Sequence, residues 1–182
     1  GPAVDFMKRD RNNPFLLVAS FCNPHNICEW SRFQELPDGP IGQVPPVEER
    51  PPLPSNHAPP ENETEIISIM RRAYQRHRLF RAVSSYQEED WRRLRWGYYR
   101  LVEKVDALIG RLLAGLRESG QQENTLVVFT SDHGECLGAH RWNQKTVFYD
   151  ESARVPLVMR LPGRVRRVRS RRLVQTGIDL LP

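Results

Sequence analysis

An α/β fold, with a mostly parallel sheet flanked by helices, is what the sequence predicts, and three features predict it. Apolar runs of strand length stand at 14–21 (PFLLVASF), 125–130 (TLVVFT) and 155–159 (VPLVM) without polar alternation, the pattern of strands covered on both faces. A long helical stripe lies between the first run and the second. The resulting order of strand, excursion, helix, strand, loop, strand suits a parallel sheet.

The first run, Pro14 to Phe21, is the expected opening strand. Residues 37–60 then hold nine of the fifteen prolines. That density excludes helix and central strand, and it predicts a long Pro-rich excursion over the surface. From Glu61 the pattern is helical, weakly to Phe80 and then strongly. Leu94, Tyr98, Leu101, Val105, Leu108, Leu112 and Leu116 recur every three or four residues, and Gly120 closes the helix. Leu173 to Thr176 is a candidate fourth strand, and Gly177 to Leu181 reads as the start of another helix. Three or four strands with one strong helix leave sheet face uncovered. The 182 residues are therefore expected to be the central part of a single larger domain.

Composition narrows the class. Hydrophobic residues make up 39% and charged residues 27% of the chain, ordinary values for a globular domain. No apolar run nears the roughly 18 residues of a membrane span, and the N-terminus is not a secretory signal. The formal charge is +5, yet 24 of the 27 basic residues are Arg, leaving only Lys8, Lys104 and Lys145. Such a bias usually reflects genome composition or Arg-based ion pairing, and it also suits a partner carrying sulfate, phosphate or carboxylate. Three cysteines (Cys22, Cys28, Cys136) make no disulfide framework.

In open α/β sheets, ligands sit beyond the carboxyl ends of the strands. Two polar segments fall there: Cys22-Asn23-Pro24-His25-Asn26 and Ser131-Asp132-His133-Gly134-Glu135. A carboxylate followed at once by an imidazole on a Gly turn is a candidate half-site for a divalent cation. The plain alternative has Asp132 capping the turn while His133 packs locally. Lys145 lies twelve residues after His133. A Lys and a His converging beside a metal form a pocket for an oxyanion, with the imidazole serving the leaving group. The alternative for Lys145 is a solvated surface amine.

At this point the residues resemble a known family. The segments YYRLVEKVDALIGRLL, ENTLVVFTSDHGE, LGAHRWNQKTVFYDESARVPLVM and TGIDLLP follow the order and spacing of the arylsulfatase-like sulfatases of the alkaline phosphatase superfamily. PFLLVASFCNPHN is similar to that family's strand and Pro-His segment. The resemblance implies an alkaline phosphatase-like fold and a sulfuric ester hydrolase, with a sulfated small molecule or glycan as substrate. It implies Asp132 and His133 as ligands of a divalent cation, usually Ca²⁺, with Mg²⁺ and Mn²⁺ open because His133 stands where many members have Asn. Lys145 is implied as a contact to the sulfate and the leaving oxygen. His25 is implied as a sulfate contact and general acid, and His140 as a substrate contact. A periplasmic or secreted location is implied by the resemblance alone.

One part of the family pattern is missing. Its nucleophile is a formylglycine made from a Cys- or Ser-x-Pro-x-Arg motif, expected upstream of this chain together with the paired acidic metal ligands. Cys28-Glu29-Trp30-Ser31-Arg32 imitates the motif but has Trp30 in place of Pro, which makes Cys28 a loop or pocket-wall residue.

Two other readings stay open. A phosphate or phosphonate ester hydrolase of the same superfamily shares the metal-binding strand ends and the Lys. A non-catalytic anion-binding module is the other, because Arg164 to Arg172 (RVRRVRSRR) holds six Arg in nine residues. That run suits a sulfated glycan; its plain alternative is an exposed polar connection. Nucleic acid is not expected as a partner, since nothing resembles a nucleic-acid fold. The oligomeric state is left open.

Overall fold

The computed structural model describes residues 1–9, 12–76, 81–175 and 179. Six α-helices are described: α1 (Pro2–Met7), α2 (Ile27–Ser31), α3 (Glu65–Arg76), α4 (Arg81–Ser84), α5 (Glu88–Glu118) and α6 (Asp150–Ala153). Two strands, β1 (Val127–Phe129) and β2 (Val158–Arg160), complete the described elements.

α5 organises the rest. Its N-terminus is set by a capping box, with Gln87 and Asp90 satisfying each other's backbone N–H groups, so it begins before the apolar stripe does. Trp91, Leu94, Leu101 and Leu116 are buried along one face. Ile27 of α2, Ile41 of the Pro-rich excursion and Val83 of α4 pack against that face. The indole of Trp30 occupies the space above Gly97, where any Cβ would strike the ring, and its N–H donates to the Arg93 carbonyl (3.2 Å). The residue that stands in place of Pro in the imitation motif is thus a packing residue, and Cys28 lies on a helix, not in a loop.

The Pro-rich excursion is irregular, as expected, but it is tied down. Lys104 Nζ donates to the carbonyls of Asp38 (2.8 Å) and Gly39 (3.1 Å). Arg92 donates to the Arg50 carbonyl (2.9 Å), and Arg50 in turn to that of Glu89 (3.2 Å).

The sheet differs from expectation. β1 and β2 pair antiparallel, with Val127 opposite Arg160 and Phe129 opposite Val158. A parallel crossover is usually made by an α-helix that covers the sheet; residues 130–157 hold only the four-residue α6 and one 3₁₀ turn. The mostly parallel sheet is therefore not formed among the described residues. The run 14–21 forms no strand, and Leu16 (87% exposed) and Val18 (77%) point to solvent. Val128, Phe129 and Val158 of the ribbon are exposed as well. Residues 173–175 are irregular. Thr176 and, apart from Asp179, the expected helix at 177–181 lie outside the described residues. No helix among the described residues is long and apolar enough to cross a membrane.

Candidate active site

The turn after β1 is built by local hydrogen bonds. Ser131 Oγ donates to the His133 carbonyl (2.9 Å), and the His133 N–H donates to Asp132 Oδ1 (3.0 Å). Gly134 is required there by space. A Cβ on it would drive into the Glu151 carbonyl oxygen and lie 3.1 Å from that of Arg154, while its N–H donates to the Ser152 carbonyl (2.8 Å). The turn is thereby sewn to α6. Ser152 Oγ then donates to the Lys145 carbonyl (2.6 Å), which links the turn to the segment carrying Lys145.

Asp132 and His133 come together. His133 Nδ1 lies 2.8 Å from the Gly134 carbonyl; a carbonyl only accepts, so Nδ1 carries a proton and, in the neutral ring, Nε2 is left with a lone pair. That Nε2 is 3.5 Å from Asp132 Oδ2. Two acceptors face each other on one exposed turn, an arrangement completed by a cation, either a second ring proton or a metal ion. Slight burial opposes ionisation of Asp132. The His133 charge, backbone N–H groups and the Ser131 hydroxyl outweigh it and hold the carboxyl below its ordinary value. The donor set fits a hard or borderline divalent ion. Among the described residues no third His, Cys, Asp or Glu joins the pair.

Lys145 is half-buried, with Glu135 and Cys28 as electrostatic neighbours. Sequence reasoning passed over Glu135. Burial pushes its carboxyl up to about 8, against the pull of Lys145 and the N–H groups of Cys136 and Leu137. Its Oε1 is buried with no hydrogen-bond partner. The only signal in the sequence was an acidic residue wedged between a Gly turn and Cys136-Leu137. Gln144 also reaches this cluster. It accepts from the Tyr74 hydroxyl (2.6 Å) and donates to Cys28 Sγ (3.6 Å). Burial raises the Cys28 thiol above its ordinary value, which suits a wall residue and not a nucleophile.

His25 is exposed, on the turn that leads into α2. Asn23 and Asn26 flank it and both donate to Asp38 Oδ2 (2.9 Å each), so the excursion holds this turn in place. The Gln144–Cys28 contact brings the helix after His25 to the Lys145 segment. Among the described residues His25 makes no side-chain hydrogen bond to Asp132, His133 or Lys145.

His140 is largely buried. It stacks on Tyr149 (3.9 Å between centroids) and lies 3.7 Å from Glu151. Asn56 bridges the two, with Nδ2 3.3 Å from His140 Nε2 and 2.6 Å from Glu151 Oε1. Arg71 and Tyr149 both donate to Glu63 beside them. Trp142 is 1% exposed and packs on Tyr74, as a core residue.

The turn after β1 thus brings Asp132 and His133 together, and Ser152 ties that turn to the backbone of Lys145. The sulfatase family model matches residues 2–182, and the chain belongs to the sulfatase family. An arylsulfatase of Clostridium perfringens is 30% identical over 169 residues, covering 88% of this chain and 31% of its own. A Δ4,5-hexuronate-2-O-sulfatase of Bacteroides thetaiotaomicron is 29% identical, covering 99% of this chain and 37% of its own. Among solved structures, a 2-O GAG sulfatase superposes with a TM-score of 0.73 at 28% identity, covering 89% of this chain and 34% of that one. A phosphonate monoester hydrolase of Silicibacter pomeroyi gives 0.54 at 29% identity over 68% and 25%. The chain spans about a third of the length of the curated relatives it matches. These likenesses give the fold class as alkaline phosphatase-like.

Proposed function

We propose that this chain is the central part of a sulfatase catalytic domain and supplies about half of a site that hydrolyses sulfate esters. The reading rests on the facing lone pairs of Asp132 and His133 at a strand end, in a chain of the sulfatase family. Asp132 and His133 would hold a divalent cation, with Ca²⁺ first and Mg²⁺ or Mn²⁺ as alternatives. When bound, the cation would offset charge on the sulfuryl oxygens, and a formylglycine from outside these residues would supply the nucleophile.

The chain's own residues do the rest. The Lys145 ammonium sets its charge against a sulfuryl oxygen and the departing oxygen. On its pinned turn His25, which makes no side-chain hydrogen bond among the described residues, gives the leaving oxygen a proton. Burial raises the Glu135 carboxyl, which weakens its hold on the Lys145 charge. A carbohydrate sulfate is favoured as substrate by the hexuronate and GAG sulfatases among the relatives.

The rival is a phosphonate or phosphate ester hydrolase, favoured by the phosphonate monoester hydrolase likeness. Rates of the full-length enzyme on aryl sulfate, phosphate and phosphonate esters separate the two. The sulfate ester is expected to be fastest, with Lys145→Ala lowering kcat/KM about 100-fold or more. A phosphonate preference would overturn the sulfate reading.

A further inference from the structure

The Arg164–Arg172 run leaves the ribbon after β2 and forms no strand. Its six guanidinium groups are exposed, and among the described residues none pairs with a carboxylate. Such a concentration of like charge repels itself until a counter-charge arrives. The run also folds back. Arg169, Ser170 and Arg171 line an open surface hollow together with Arg154. Asp150 takes one Arg154 donor (3.0 Å), and among the described residues no other carboxylate pairs with the fork. The hollow lies beside the candidate active site: the Arg154 carbonyl abuts Gly134, one residue from His133.

Guanidinium forks match sulfate and carboxylate oxygens two at a time. Val165 and Val168 are the only apolar residues in the run. It has no aromatic ring to stack on a base, which disfavours nucleic acid. Building on the sulfate-ester reading above, we propose that Arg169 and Arg171, with Arg154, form an anion subsite that grips a second sulfate or carboxylate of a polyanionic saccharide whose reacting sulfate sits at the Asp132–His133 turn. The enzyme then acts on multiply charged saccharides in preference to lone sulfate esters.

The test compares the full-length enzyme with Arg169→Gln/Arg171→Gln and with Arg164→Gln/Arg166→Gln, a charge-matched change outside the hollow. Binding of a polysulfated oligosaccharide at 0.15 M salt is expected to weaken about fivefold to tenfold in the first variant only. The ratio of kcat/KM on that oligosaccharide to kcat/KM on a singly charged aryl sulfate is expected to fall by a similar factor. Equal losses in the two variants, an unchanged affinity, or an equal loss for single-stranded DNA of matched charge would overturn the subsite. Failure of the wild-type enzyme to hydrolyse any sulfate ester would overturn the underlying reading instead, and the binding measurement would still judge the subsite.

Discussion

Replacing Gly134 with Ala tests how tightly the candidate metal turn is sewn to α6. The added methyl meets the Glu151 carbonyl oxygen far inside contact distance, with the carbonyl carbon at 3.0 Å and the Arg154 carbonyl oxygen at 3.1 Å. These are backbone atoms, so no rotamer change relieves the clash. Either the turn or α6 must shift, and the Gly134–Ser152 hydrogen bond (2.8 Å) goes with it. Overpacking costs about 1–3 kcal/mol and the lost bond about 1 kcal/mol, so the loss is expected to be ~2–4 kcal/mol. For a chain of this size that lowers Tm by about 5–15 °C. Thermal unfolding followed by circular dichroism reads it directly. Gly110→Ala is the matched control, since it lies exposed within α5 with nothing near its Cβ position. It is expected to stabilise by about 0.5–1 kcal/mol through helix propensity. A Gly134→Ala melting point within about 2 °C of wild type would refute the close approach and the role derived from it.

Three further outcomes are expected. Asp132→Ala should weaken divalent-ion binding by the full-length protein at least about tenfold, read by isothermal titration with Ca²⁺ and by metal analysis; unchanged binding removes the half-site. Glu63→Gln should cost about 3 kcal/mol at neutral pH, because the largely buried Arg71 loses its partner. Burial opposes ionisation of Glu63, but Arg71 and the Tyr149 hydroxyl outweigh it and lower its folded pKa from 4.5. Its stabilisation is therefore complete above that value and lost as pH falls through the lowered one. Urea midpoints of the two proteins should converge below about pH 4, and a constant gap refutes the pairing. The purified 182-residue chain should not hydrolyse an aryl sulfate, since it carries no Cys- or Ser-x-Pro-x-Arg motif; metal-dependent turnover by it would show another nucleophile.

The long helix was legible because its burial is decided within the chain: Leu94 and Leu101 pack against α2, the excursion and α4, so the period of 3.6 records contacts these residues make themselves. Its start was less so, since the capping box at Gln87 and Asp90 uses Gln where Ser or Thr is the usual sign. The run PFLLVASF misled for the opposite reason. Apolarity reports that a segment is meant to be covered, not by what, and no described neighbour covers Leu16 or Val18. Strand direction was equally hidden, because VVF and VMR read the same in either orientation. At the site, Asp132 and His133 are adjacent in sequence, so their proximity could be read. Glu135 could not: its electrostatic neighbours include Tyr74 and Tyr98, far away in sequence, and its burial is a product of tertiary structure.

The proline-dense excursion acts as a prestressed bracket in the entropic sense. Each proline removes backbone freedom that the unfolded chain would otherwise have to surrender, so fixing 37–60 costs less than fixing an equal length of ordinary loop. One end is bolted to α5 through Lys104 and Arg92. The other is bolted to the segment after β1, where Asn56 holds Glu151 and His57 Nδ1 donates to the Gly138 carbonyl (2.6 Å). A stiff member fixed at both ends transmits displacement instead of absorbing it. A substitution that loosens the bracket at Lys104 is thus carried along it toward Asn56 and Glu151, whose carbonyl abuts Gly134.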